Sequence, residues 1–124
     1  GYHAYSHHGK KQENIDALLR LETYQMECFA KFLDQLKASK SPNGASLLDE
    51  TTVLFGSGMG NGNAHTNNNL PILMAGRGYQ TGSHLAMPGA KNKRVPLSNL
   101  YLSILNQLGV EDESFAHSTG TLTL

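Results

Sequence analysis

The amino-acid sequence predicts an α/β fold in which a small, mostly parallel sheet is flanked by two main helices. Three observations lead to this prediction: a long amphipathic pattern over residues 11–38, two short apolar runs at 51–58 and 70–76, and a second amphipathic pattern over 96–110. The chain has 124 residues, which is the length of one domain with a modest core. We therefore predict a single α/β domain over residues 1–124.

Residues 11–38 carry the strongest periodic pattern in the chain. Apolar residues recur there at steps of three and four, and neither glycine nor proline interrupts the segment. The pattern predicts one long amphipathic helix with a single apolar stripe, and it places the lone Cys28 at a half-buried position. Pro42 and the Asn43-Gly44 pair that follows it predict a turn after the helix.

The apolar runs "TTVLFGSG" at 51–58 and "LPILMAG" at 70–76 predict two strands. Both runs are continuously apolar, which is typical of strands buried on both faces of an α/β sheet. A loop rich in glycine and asparagine, residues 57–69, joins them and contains His65. Loops that follow the C-terminal end of a strand commonly carry the chemistry of α/β folds.

The C-terminal third predicts one helix and two short features around it. Residues 96–109 are amphipathic, with Pro96 suited to a helix start and Gly109 to a helix end. The turn-rich segment 76–94 predicts an irregular hairpin, and the alternating "TGTLTL" at the C-terminus predicts a short edge strand.

Charge and hydropathy argue against two classes of partner. Lys and Arg together number ten, as do Asp and Glu, so the chain lacks the basic surplus that nucleic-acid binding uses. The one basic cluster, "KNKR" at 91–94, lies in a turn-rich stretch and predicts a solvated turn. No apolar run approaches 18 residues, so we predict no membrane span.

The stretch "HAYSHH" places three of the six histidines within the first eight residues. His3 and His7 are four residues apart, a spacing that puts both on one face of a helix. The adjacent His7 and His8 point in different directions, so at most two of the three readily share one metal. The alternative is that these are solvated N-terminal residues, in part the remnant of a purification tag.

His65 is the histidine that would complete a site. Together with His3 and His7 it would form a three-histidine zinc site with an open position, the arrangement of catalytic zinc. Taken alone, it is also explained as a hydrogen-bonding loop residue. The remaining His84 and His117 lie in polar, turn-rich stretches, and we predict both to be exposed.

Several motifs resemble a known family. "HAYSHH" matches the H-x-x-S-H-H signature of a family of exported bacterial proteins of uncharacterised function. "SGMGNGNAHTNNNLPILMAGRG" resembles that family's second block, and "LSNLYLSILNQLGV" with "STGTL" resembles its C-terminal end. The resemblance covers nearly the whole chain, but family members are several times longer. It implies a C-terminal fragment of a longer protein with a periplasmic or otherwise exported location.

A more distant similarity links the same motifs to the alkaline phosphatase and sulfatase superfamily. It implies that His3 and His7 occupy the position of an upstream ligand pair, and that His65 occupies the position of a later histidine ligand. It therefore implies one divalent metal, with zinc as the first expectation. Gly58 and Met59 stand where that superfamily has Asp and His ligands, so a second metal is not expected. Six residues are expected to contact the metal ligands or a bound ligand: Ser6, His8, Ser57, Asn63, Thr66 and Asn67.

Two functional hypotheses remain open at this point. In the first, the chain carries a degenerate site of a metal-dependent ester hydrolase, which would bind an anionic ester and be inactive in this fragment. In the second, it is a noncatalytic binding or structural domain whose loop 57–69 recognises a glycan or a partner protein. For a fragment, we also expect self-association through an exposed sheet edge.

Overall fold

The computed structural model describes residues 1–79, 82–87 and 94–124 of the chain. Within those ranges the elements follow in the order α1 (Tyr2–Ser6), α2 (Gln12–Ala38), α3 (Leu47–Glu50), β1 (Thr52–Gly56), β2 (Ile72–Gly76) and α4 (Leu97–Gln107). No described helix is long and apolar enough to cross a membrane.

The chain divides into two compact units, Gly1–Gly78 and Tyr79–Leu124. The single domain over 1–124 stays a prediction. The predicted hairpin at 76–94 includes residues 80–81 and 88–93, which lie outside the described residues, as does most of the basic cluster at 91–94.

The long helix predicted for residues 11–38 is confirmed as α2. Five of its large apolar residues are half-buried and define its inner side: Ile15, Leu18, Phe29, Leu33 and Leu36. The Phe29 ring stacks on Phe55 of β1 with 4.8 Å between centroids, so this side packs against the sheet. Cys28 is exposed, and its predicted half-buried position is therefore wrong.

The sheet consists of two antiparallel strands, and the predicted mostly parallel sheet is wrong. Thr52 of β1 pairs with Gly76 of β2, and the register runs to Gly56 opposite Ile72. Parallel neighbours need a crossover connection, usually a helix, and the intervening residues 57–71 contain none. The chain returns directly through a loop, so the strands run in opposite directions. Of the two strands only Val53 is buried, while Leu73 is 46% exposed.

In the second unit, α4 confirms the predicted C-terminal helix and holds the chain end. Leu100 and Leu102 are buried on it, and so are the polar Asn99 and Ser103. The Asn99 side chain accepts the Thr119 N–H at 2.8 Å and donates to the Thr119 hydroxyl.

The C-terminal segment is therefore bonded to helix side chains rather than to a strand. The Leu122 N–H donates to the Ser103 hydroxyl at 2.6 Å, and that hydroxyl also lies 3.2 Å from the Leu122 carbonyl. These contacts use backbone groups that would otherwise pair with a neighbouring β-strand. The edge strand predicted for "TGTLTL" is absent from the described residues, and that prediction is wrong.

Substitution of Ser103 by alanine should lower the free energy of unfolding by about 1–3 kcal/mol, because the Leu122 amide loses its acceptor. Amide hydrogen exchange at Leu122 should become faster in the same variant. Ser98 on the same helix is the matched control, because its hydroxyl is buried without a hydrogen-bond partner among the described residues. Ser98→Ala should be neutral or slightly stabilising in urea titrations, and equal losses for the two variants would contradict this account.

Candidate metal centre

The N-terminal helix places His3 and His7 side by side. α1 spans five residues and His7 directly follows it, so the two imidazoles are separated by one helical turn. Their ring centroids lie 4.6 Å apart at an interplanar angle of 57°. The Ser6 hydroxyl donates to the His3 carbonyl at 2.9 Å and closes this turn. A helix this short is not stable by itself in water, so its position depends on contacts with the rest of the unit.

Three contacts fix α1 in place, and two of them leave no recognisable pattern in the sequence. The Tyr2 hydroxyl donates to the Glu22 carboxylate of α2 at 3.0 Å. The Gly9 N–H donates to the Asn63 side-chain oxygen at 3.0 Å. Gly62 packs against Ser6 so closely that an added Cβ would lie 3.3 Å from the Ser6 Cβ. No motif signals the Tyr2–Glu22 pair or the need for glycine at position 62.

The loop 57–69 contains a small hairpin that presents His65. The Gly60 N–H donates to the Thr66 carbonyl at 2.9 Å, and the Thr66 N–H donates to the Asn61 carbonyl at 3.1 Å. A Cβ at Gly60 would overlap the Asn68 carbonyl oxygen, so the close approach of these two backbone segments requires glycine at position 60. His65 has a φ of 52°, in the left-handed region that non-glycine residues rarely adopt. Strain of this kind concentrates at functional sites.

His7 and His65 meet through their imidazole nitrogens. The two Nε2 atoms are 3.0 Å apart, although the residues are 58 positions apart in the chain. The rings are perpendicular, with 4.6 Å between centroids. At this distance one Nε2 carries a proton and donates it to the lone pair of the other. Desolvation of the half-buried ring lowers the pKa of His7 below its ordinary value of 6.5, and the neighbouring His3 and His65 lower it further.

This pair fits the first two ligands of a nitrogen-liganded metal. Two imidazole nitrogens on tetrahedral zinc, each at 2.0–2.1 Å from the ion, are separated by about 3.3 Å. The observed Nε2 separation is close to that value, and both Nε2 lone pairs are available when each neutral ring carries its proton on Nδ1. In the described ranges, however, no three His, Cys, Asp or Glu side chains are arranged to hold a metal ion as they stand.

The other residues predicted around the site lie in different positions. Ser6 and Asn63 belong to the contact between α1 and the loop, as described above. The His8 ring accepts the Lys10 N–H through Nδ1, and the Ser57 hydroxyl accepts the Met59 N–H. Thr66 forms the loop hairpin through its backbone, and Asn67 is exposed.

Four further positions that bear on the predicted site are all exposed. Gly58 and Met59 are exposed and bring no carboxylate or imidazole to the loop. His117 and His84 are also exposed, as predicted.

A comparison of the chain with family models, curated proteins and solved structures found no significant match. The resemblance to the H-x-x-S-H-H family and to the alkaline phosphatase and sulfatase superfamily therefore stays a prediction.

The stability of the first unit should fall as the pH is lowered through about 6.5. The folded-state pKa of His7 is depressed, so the unfolded chain binds more protons just below 6.5 and is favoured there. The contribution of His7 is complete above that pH and is lost progressively as the pH falls towards the lowered pKa. Thermal unfolding midpoints between pH 8 and 5 measure this, and the decrease should be smaller in His7→Ala. An identical pH dependence in the two chains would contradict the assignment.

Proposed function

We propose that the chain is a metal-binding domain in which His7 and His65 supply two imidazole ligands to a single divalent ion. The observation that carries the proposal is the 3.0 Å separation of their Nε2 atoms. His3 is the third ligand, since its ring lies one helical turn away and 4.6 Å from that of His7. Rotation of exposed His3 about its side-chain bonds would bring a nitrogen to the ion.

Zinc is the ion that these donors favour. All three ligands are neutral imidazoles, which suit zinc, copper and nickel, whereas magnesium and calcium prefer oxygen ligands. Three protein ligands leave a fourth position on tetrahedral zinc, where water or an anionic ester would bind. Ester hydrolysis is proposed only for a longer parent protein in an exported location. The part of the chain that resembles the hydrolases does not include the segment that carries their nucleophile.

A tag-free chain freed of metal with a chelator should bind about one zinc ion when titrated with zinc chloride in a calorimeter. His7→Ala and His65→Ala should each weaken binding by at least about 10-fold, since the loss of an outer-shell partner alone typically costs that much. His3→Ala should weaken binding as well.

His117→Ala is the matched control, because this exposed histidine is not one of the three proposed ligands. It should bind zinc as the unsubstituted chain does. If the double variant His7→Ala/His65→Ala binds zinc as tightly as the unsubstituted chain, the proposed metal centre is wrong.

A second candidate function, recognition of a glycan by the loop 57–69, is favoured by the distribution of its asparagines. The side chains of Asn61 and Asn63 are engaged within the protein, where each accepts a backbone N–H. The consecutive Asn67, Asn68 and Asn69 are all exposed. Carboxamides both donate and accept hydrogen bonds, which matches the hydroxyl groups of a sugar.

The variant Asn67→Ala/Asn68→Ala separates the two functions. Under the glycan hypothesis, it should lose binding to an immobilised panel of polysaccharides while its zinc affinity is unchanged. Under the metal hypothesis, neither measurement should respond to it. Equal polysaccharide binding by this variant and the unsubstituted chain would reject recognition through these asparagines.

A further inference from the structure

α2 carries a second apolar stripe on the side that does not face the sheet. Its members recur at steps of four and three residues, which keeps them on one side of a helix. We call this set the outer stripe: Ala17, Leu21, Tyr24, Cys28 and Phe32. Tyr24 is 62% exposed, Phe32 46% and Leu21 38%, so three large apolar side chains face solvent along one line. Such a line of exposed apolar groups marks an interaction surface.

We propose that the outer stripe pairs with the outer stripe of a second copy of the chain, with the two helices antiparallel. In this register Leu21 lies opposite the partner's Cys28, and Ala17 lies opposite the partner's Phe32. Tyr24 lies near the twofold axis, beside the partner's Tyr24. The smallest residue thus meets the largest, and every position in the stripe has an apolar or aromatic neighbour. Small-against-large layers of this kind allow two helices to approach closely.

The charged residues beside the stripe favour the same register. In that register Arg20 lies two residues, about 3 Å along the helix axis, from the level of the partner's Glu27, and Asp16 is displaced equally from the partner's Lys31, so the long side chains of each pair can meet. Twofold symmetry repeats each of these pairs, so four attractive contacts form per dimer. Glu13 lies near the partner's Asp34 at each end of the interface, where solvent screens the repulsion between the two carboxylates. Charges that flank an apolar seam set partner and orientation in helix pairs.

The size of the stripe indicates a concentration-dependent dimer. From Ala17 to Phe32 the stripe extends about 22 Å at the helical rise of 1.5 Å per residue. A contact of that length is small beside the interfaces of permanent dimers, which bury about 1,000 Å² or more on each partner. The proposal does not depend on the metal centre, because none of its residues belongs to the histidine cluster.

Disulfide trapping with Leu21→Cys tests the register directly. In the proposed dimer the new thiol lies next to Cys28 of the second copy, so mild oxidation with oxidised glutathione should give a covalent dimer. An intrachain bond is excluded, since positions 21 and 28 are about 10 Å apart along one helix and a disulfide spans at most about 7 Å between Cα atoms.

Leu19→Cys is the matched control, because Leu19 is 62% exposed on another side of the same helix. We expect at least about fivefold more covalent dimer from Leu21→Cys than from Leu19→Cys. Equal yields would overturn the proposal.

Charge reversal provides a second test by sedimentation of the unmodified dimer over a range of concentrations. Arg20→Glu and Glu27→Arg should each weaken dimerisation about fivefold, since each converts two attractive pairs into repulsive ones. The double variant should restore the original affinity. A chain that stays monomeric throughout would overturn the proposal, as would a dimer that ignores these substitutions and so forms through another surface, such as a sheet edge.

Discussion

The antiparallel pairing of β1 with β2 is the constraint on which the rest of the first unit depends. Because the strands run in opposite directions, residues 57–71 must return across one end of the sheet as a loop. A two-stranded sheet alone is marginal in water, so α2 has to cover one of its faces. The stacking of Phe29 on Phe55 does this. The loop and the helix thus occupy fixed positions relative to the same pair of strands.

The histidine cluster follows from this arrangement. α2 provides Glu22 to hold α1, and the loop provides Asn63 and His65 on the other side of the same short helix. His7 therefore meets His65 without either residue lying on a long, rigid element. The same two nitrogens can share a proton or coordinate a metal, and the two states exclude each other. Metal binding at this pair would need both Nε2 lone pairs, so each neutral ring would carry its proton on Nδ1, and affinity would fall at low pH, where the imidazoles become protonated.

The sequence predicted the two long helices well, because each signal is local, but it did not predict the short α3. Apolar residues at steps of three and four gave α2 and α4 nearly to the residue. The direction of the strands was missed, since the continuous apolar runs were interpreted as burial on both faces of a parallel sheet, whereas only Val53 is buried in these two strands. The exposure of Cys28 was missed for a related reason: periodicity marks an apolar residue but does not show which of two stripes faces the sheet.

The candidate site was only partly predictable from the sequence. Spacing alone could place His3 and His7 on one face, but their proximity to His65 was expected from a resemblance and not from the residues. The contacts that produce it, such as Gly62 against Ser6, join segments far apart in the chain and leave no local pattern. The left-handed backbone conformation of His65 likewise could not be predicted from the sequence of a loop rich in glycine and asparagine.

The contact that holds the metal centre and the proposed dimer interface use different sides of α2, and this separation has a physical consequence. Glu22, which holds α1, lies with Leu18 and Phe29 on the inner side, four and seven residues away from them. The outer stripe begins roughly a third of a turn away at Leu21. A charge added to the outer stripe would therefore leave the Tyr2–Glu22 contact in place, and loss of the cluster would leave the seam of the dimer intact. Binding of metal and association of two chains are thus expected to be energetically independent, as contacts without shared partners generally are.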